Sequence, residues 1–256
     1  MQYTPDKLSS ILSEHRKWIL SNDREGCRAN FSNADLSDAD LRDAELSGAD
    51  LHDANLSRAN LSRANLSRAN LNDADLSDAN LSRAYLIGAI LNDTSLSRAD
   101  LSGAYLSRAK FRGADLSRAD LSRAFLRDVN FSGADLSRAN LSGADLRDAN
   151  LNEVREEFFA KNSQQPEEVP GLRGLLMEGR IEGTSYDGDC SCYVGSLERL
   201  ANQHGKECRI QRDPRSLIER WFLGIKRGDT PETNPISAIV VEWIDEWTEA
   251  FYKTKV

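Results

Sequence analysis

Residues 34–51 read ADLSDADLRDAELSGADL. Leu recurs at every fifth position, with Ala two places before it. Working outward, Leu or Phe holds that central position without interruption from Phe31 to Leu151. The Ala runs from Ala29 to Ala149 and yields only to Thr94 and Val129. The register therefore comprises 25 consecutive units, about half of the 256 residues. Each unit reads Ala, Asp or Asn, Leu, Ser, then a residue that reads as variable.

A period of five suits neither common element, because helices repeat apolar residues near 3.6 and strands at 2. It requires a chain that turns a corner every five residues. Four short sides make a coil of 20 residues, and each coil stacks on the one before. Leu points to the axis, the small Ala fits beside it, and the other three positions face water. The spacing of rare residues supports twenty. The residues just before the central position on one side are Glu45, Asn65, Tyr85, Tyr105, Phe125 and Asp145, so three aromatics fall on successive coils. Phe31, Phe111 and Phe131 also share one side.

The pattern from Ala29 to Glu153 resembles the pentapeptide-repeat family, A(D/N)LXX. The resemblance implies a mainly β fold, a right-handed quadrilateral β-helix of about six coils. At about 4.8 Å per coil it would be about 30 Å long. The expected organisation is an N-terminal capping helix over 1–28, the β-helix over 29–153, a cap and linker over 154–170, and a helical C-terminal lobe over 171–256. Thr4 is placed to N-cap the first helix, with Pro5 at its first position. Leu8, Ile11, Leu12, His15 and Ile19 share its apolar face, and His15 reads as a packing residue. Val154, Phe158 and Phe159 are candidates to cover the last coil.

In the C-terminal region the expected helix signals are a stop at Gly179, an N-cap at Ser196, a stop at Gly205, Asp213 with Pro214, a stop at Gly228, and Asn234 with Pro235. The last helix carries the stripe Ile236, Ile239, Val240, Trp243, Ile244, Trp247 and Phe251. A core around Trp221 and Trp243 is expected, with Trp247 at its rim. The segments YDGDCSCYVGSL (186–197) and GDTPETNP (228–235) resemble tails of uncharacterised bacterial and phage proteins, which implies no activity.

No long apolar run is present, and the first 20 residues carry charges inside their apolar segment, so neither a membrane span nor a signal peptide is expected. Four Cys are too few for a secreted disulfide framework, and the cytoplasm is the expected compartment. Cys190, Cys192, His204 and Cys208 form the one cluster with metal-like spacing. Three thiolates with one imidazole suit tetrahedral Zn²⁺, and reduced, partly buried thiols are the other reading. No other cofactor and no catalytic residue are expected, because no P-loop, dinucleotide fingerprint or G-x-S-x-G is present.

The resemblance also raises DNA mimicry, since fluoroquinolone-resistance members are acidic rods that occupy the DNA-binding groove of gyrase. Here residues 29–153 hold 19 acidic and 14 basic side chains. The acidic excess lies early, over 29–53, before Arg58, Arg98, Arg118 and Arg138 line one side and Arg63, Arg83 and Arg123 the next. An unbroken acidic face is therefore not expected, and direct nucleic-acid binding is not expected either. The surface feature that departs from the pattern is apolar: Tyr85, Ile87, Ile90, Tyr105 and Phe125, where other units carry polar residues. A contiguous patch of this kind implies a cover, namely the chain's own C-terminal lobe, a second copy or a partner protein. The sequence reads as a non-enzymatic scaffold or binding module, with gyrase-directed mimicry and a ligand- or zinc-binding lobe as the alternatives.

Leu101→Asp is expected to abolish the β-type circular dichroism of the repeat, because an unpaired carboxylate in the bore costs several kcal/mol. Unchanged dichroism and melting would place the central residue outside.

Overall fold

In a computed structural model, residues 4–181, 193–210, 216–222, 225 and 227–253 are described. The chain divides into two compact units, Met1–Ala134 with Ala144–Asn150, and Asp135–Gly143 with Leu151–Val256.

Single parallel bridges join residues twenty apart throughout the first unit, from Asn30–Asp50 to Asn130–Asn150. Each side contributes one bridge instead of an extended strand, since five residues leave room for little more than the corner. The expectation of a β-helix solenoid is met in this form for the repeat, but the expectation of a mainly β chain is not: among the described residues the bridges are isolated, and helices hold more residues than bridges do. The unit Leu81–Tyr85 shows the full backbone accounting. Leu81 and Arg83 donate to Asp100 O and Ser102 O of the next coil at 2.7 and 2.9 Å. Tyr85 donates to Ala64 O of the coil before at 2.9 Å, and Ala84 closes the corner on Leu81 O at 3.0 Å. Ser82 N–H donates to the Asn80 side chain at 3.0 Å.

The corner explains the fifth position, which is not variable. Every such residue from Asn33 to Asp148 has positive φ, near 54–62° where it is not glycine. Only the third residue of the turn is left-handed, as in a type II turn. The position holds nothing but Asn, Asp, Gly and Arg, and no β-branched residue, as left-handed backbone demands.

Central Leu and Phe are buried throughout, and Phe111 stacks on Phe131 at 5.5 Å. Thr94 replaces Ala without an orphaned hydroxyl, since Oγ1 donates to Leu71 O at 2.7 Å.

Helix α1 spans Pro5–Leu20 and is N-capped by Thr4. Two hydrogen bonds tie it to the start of the repeat. Cys27 N–H donates to Glu14 O at 3.3 Å. Gly26, at φ +76°, permits this approach, because a Cβ there would lie 2.2 Å from Glu14 O. Later Ala residues donate to the central carbonyl three back, as Ala34 does to Phe31 O. Ala29 has only Gly26 at that place, and its N–H donates instead to buried His15 Nδ1 at 3.0 Å. His15 is thus a packing residue with a specific polar task.

In the second unit, α2 covers Asn152–Asn162, a 3₁₀ turn Pro166–Glu168, and α3 Val169–Met177. Helices α4, α5 and α6 follow at Tyr193–Gln203, Leu217–Phe222 and Pro235–Lys253. Residues 154–170, expected as cap and linker, carry most of α2, the 3₁₀ turn and the start of α3. Phe158, Asn162, Gln165, Glu168 and Val169 are all buried. Phe158 lies against the rings of Tyr193 and Trp243 at 5.8 and 5.9 Å. Ser196 is a buried residue within α4 and not its N-cap, since the helix begins three residues earlier. Trp247 is buried with Trp221 and Trp243 instead of lying at a rim. It stacks on Phe251 and donates from Nε1 to Ser163 Oγ at 3.3 Å. Asn234 caps α6, accepting from Ile236 N–H at 2.8 Å. Gly179, Gly205 and Gly228 have positive φ. The expected cap at Asp213 and Pro214 lies outside the described residues.

Burial holds His15 below the ordinary histidine value, against the Ser47 carbonyl and Glu45 and with the help of Arg28. A depressed folded value means that the unfolded chain binds the proton more readily. The contribution of His15 is therefore intact above about pH 6.5 and lost as pH falls below that. Amide-exchange protection at Ala29 and along α1 is expected to fall from pH 7.5 to 5 after correction for intrinsic rates. His15→Gln can still accept from Ala29 but does not titrate, and should remove the dependence.

Candidate functional site

The position before each central residue points outward, and its side chain normally serves the corner. Asp35, Asn60 and Asn80 each accept from the backbone N–H two residues on. Tyr85, Tyr105 and Phe125 replace that residue on three successive coils. Their rings stack at 4.8 Å with planes 4° apart, the coil spacing itself. They remain 44%, 36% and 45% exposed, with Ile87 at 43%. Ile90, half-buried, bridges to Asn70 and Lys110 round the corner.

The replacement has a second effect. Aromatic rings offer no oxygen to the N–H two residues on. Among the described residues, no acceptor lies within hydrogen-bonding range of the N–H of Ile87, Ser107 or Arg127. On the next side, where Ile90 and Lys110 also lack that oxygen, Asn72 and Asn92 from the neighbouring coil serve Asn92 N–H and Arg112 N–H at 3.1 and 3.2 Å. The ladder side has no such substitute.

Elsewhere part of the surface charge is paired across coils. Arg58 and Arg98 form two-pronged bonds to Asp38 and Asp78 one coil away, and Arg63 does so to Asp43. Arg42 holds Asp40. These guanidinium bonds keep Asp38, Asp40, Asp43 and Asp78 below the usual carboxylate range. Three of the seven acidic side chains in the early run, Asp38, Asp40 and Asp43, are thus held by arginine. Fully exposed pairs of this kind add little to stability. Arg68, Arg83 and Arg123 hold no carboxylate among the described residues. Their neighbours at the same corner are glycines, or in one direction another arginine, Arg63.

Of the four candidate zinc ligands, Cys190 and Cys192 lie outside the described residues. His204 Nδ1 is 2.7 Å from Oε2 of the fully buried Glu168. Cys208 Sγ donates to Ile210 O at 3.6 Å and is not within hydrogen-bonding range of His204. Burial pushes its thiol up, and Glu198 and Glu168 add to this, the opposite of an activated nucleophile. Among the described residues no three His, Cys, Asp or Glu could share a metal ion. Glu168 was missed in the sequence reading, and only the fold brings it to His204. A cavity of about 580 Å³ lined by Gln165, Lys206, Glu207, Cys208 and Arg209 adjoins this segment.

The family model of pentapeptide repeats matches residues 28–63, 44–83, 79–118 and 114–152 in eight copies, and the chain belongs to that family. Its repeats wind a right-handed β-helix solenoid. The chain is similar to the pentapeptide repeat protein Rfr23 of the cyanobacterium Cyanothece 51142, at 34% identity and TM-score 0.40, over 41% of this chain and 85% of that one. It is similar to HetL of Nostoc sp. strain PCC 7120, involved in heterocyst differentiation regulation, at 37% identity and TM-score 0.26, over 48% and 66%. It is also similar to QnrB1, a plasmid-mediated fluoroquinolone resistance protein, at 23% identity and TM-score 0.28, over 52% and 86%. No curated protein matches. Among the described residues no helix is long and apolar enough to cross a membrane.

Tyr105→Asn with Phe125→Asn is expected to leave the coil intact, since Asn is native at the same place in Asn65. Each lost ring contact costs about 0.5–1.5 kcal/mol beyond area burial. Thermal unfolding followed by circular dichroism should show a modest shift with the β signal retained.

Proposed function

We propose that this chain is a non-enzymatic, cytoplasmic protein-binding module. In this reading a four-sided right-handed β-helix, capped by α1 and followed by a helical C-terminal region, presents the Tyr85–Tyr105–Phe125 face to a partner protein. The observation that carries it is the exposed ladder itself. Three stacked rings with Ile87 replace side chains that the rest of the coil keeps polar, and no feature of the core or corner calls for them. Burying a few hundred Å² of such surface at about 25 cal/mol per Å² would contribute several kcal/mol before entropy is subtracted.

The test is differential capture from the native host. Baits carrying the native sequence and Tyr105→Asn with Phe125→Asn are compared by mass spectrometry, with light scattering on each. A protein retained only by the native bait is expected. Identical protein sets on both baits would overturn the reading. A halved mass in the variant would identify a second copy as the occupant, and a larger radius at unchanged mass would identify the chain's own C-terminal lobe.

A further inference from the structure

The ladder face combines three features that point to one kind of occupant. Resting on the binding-module reading above, we propose that it receives an acidic amphipathic helix of a partner protein, laid along the coil axis. Carboxylates of that helix accept the unserved N–H groups and pair with the flanking arginines, while its apolar side chains cover the ring edges.

The donors come first. In most units an Asp or Asn oxygen caps the N–H two residues on, at about 3 Å in Ser82 and Ser102. At Ile87, Ser107 and Arg127 that oxygen is missing. These residues are exposed or half-exposed, so the place of an intramolecular carboxylate is open to an external one. Hydrogen bonds to a charged acceptor are about twice as strong as neutral ones.

Charge complementarity is the second feature. Arg83 and Arg123 stand two residues before Tyr85 and Phe125, and Arg68 lies one coil below Gly88, with its stem 3.9 Å from a Cβ placed there. Where other corners supply Asp at the neighbouring rung, these supply mainly glycine, and the guanidinium groups hold no carboxylate among the described residues. The ring stack adds to this preference. Each ring's face is turned to its neighbour at 4.8 Å, so the outward surface is largely ring edge, the positive part of the quadrupole. The same arrangement disfavours single-stranded nucleic acid, which needs open ring faces on which bases can stack.

Spacing selects a helix. One helical turn advances about 5.4 Å, against 4.8 Å per rung. The mismatch over two steps is about 1.2 Å, within side-chain reach. Same-face residues of an extended strand repeat at about 6.8 Å and would be out of register by about 4 Å.

The probes are synthetic helices of about 16 residues, long enough for four turns. One carries Glu and Leu on a single face and one carries Lys and Leu, with an oligothymidylate as a third ligand, all read by fluorescence anisotropy. The Glu/Leu helix should bind the native chain at least about tenfold more tightly than the Lys/Leu helix, a difference of about 1.4 kcal/mol. Arg83→Asn with Arg123→Asn keeps residues that tolerate positive φ and should weaken binding about tenfold, with a shallower salt dependence. Tyr105→Ala with Phe125→Ala removes rings but leaves the donors open and should weaken binding in part. Tyr105→Asn with Phe125→Asn supplies two of the three missing oxygens as well as removing two rings, and should weaken binding further than the Ala pair does. Absence of Glu/Leu binding at about 100 μM, roughly 5 kcal/mol of affinity, would overturn the proposal. So would equal Lys/Leu binding, displacement by oligothymidylate, or insensitivity to the arginine pair. If the Asn ladder variant still loses the host partner, the docking face stands and only the acidic-helix assignment fails.

Discussion

A corner every five residues governs the rest of the repeat. Closing it requires a left-handed residue two places after each central Leu or Phe, and the chain supplies Asp, Asn, Gly or Arg there from Asn33 to Asp148. Once the corner closes, the remaining amide groups point along the coil axis, and each coil becomes the hydrogen-bonding template for the next. The bore follows from the same geometry. Leu fills it, Ala allows the approach, and Thr94 enters only because its hydroxyl finds the Leu71 carbonyl. Before the first coil there is no such closed corner, and His15 supplies the acceptor that Ala29 would otherwise lack.

The same constraint explains why the surface carries information. Four of the five positions have assigned tasks in the bore, the corner or its capping. The residue before the central Leu has a lighter one, capping the corner, and exchanging it for a ring forfeits one local hydrogen bond without breaking the coil. Repetition at twenty residues then turns three such exchanges into a stack at 4.8 Å, beside three unserved amides. The Arg and Asp rows obey the same rule. A residue's partner is whatever stands twenty away, so Arg58 meets Asp38 and Arg98 meets Asp78, whereas Arg68, beside Gly48 and Gly88, meets no carboxylate among the described residues.

The helical unit is built on different physics. Its elements are short and are held by long-range contacts between side chains. Glu157 reaches across to accept from Ser216 Oγ and Ile218 N–H at the start of α5. Tyr193 donates to Asn162, and Arg173 and Arg155 bind Asp245 and Glu246 of α6. The ring cluster of Phe158, Tyr193, Phe222 and Trp243 draws on four helices far apart in the chain.

The sequence by itself determined the coil, its period of twenty, the inward Leu and Ala, the capped starts of α1 and α6, and the rings on one side. Each of these follows from local spacing or a local cap. The left-handed corner was legible too, in the absence of β-branched residues at the fifth position, though it reads as variable until the turn is seen. Only the tertiary structure decided that Asn162, Gln165 and Glu168 are buried, that Trp247 is buried, and that Glu168 meets His204. Those outcomes depend on contacts between segments distant in sequence, and neither period nor composition encodes them. The open amides beside the ladder lie between the two. The missing oxygen is visible in the sequence, but only the coil geometry shows that no neighbour among the described residues replaces it.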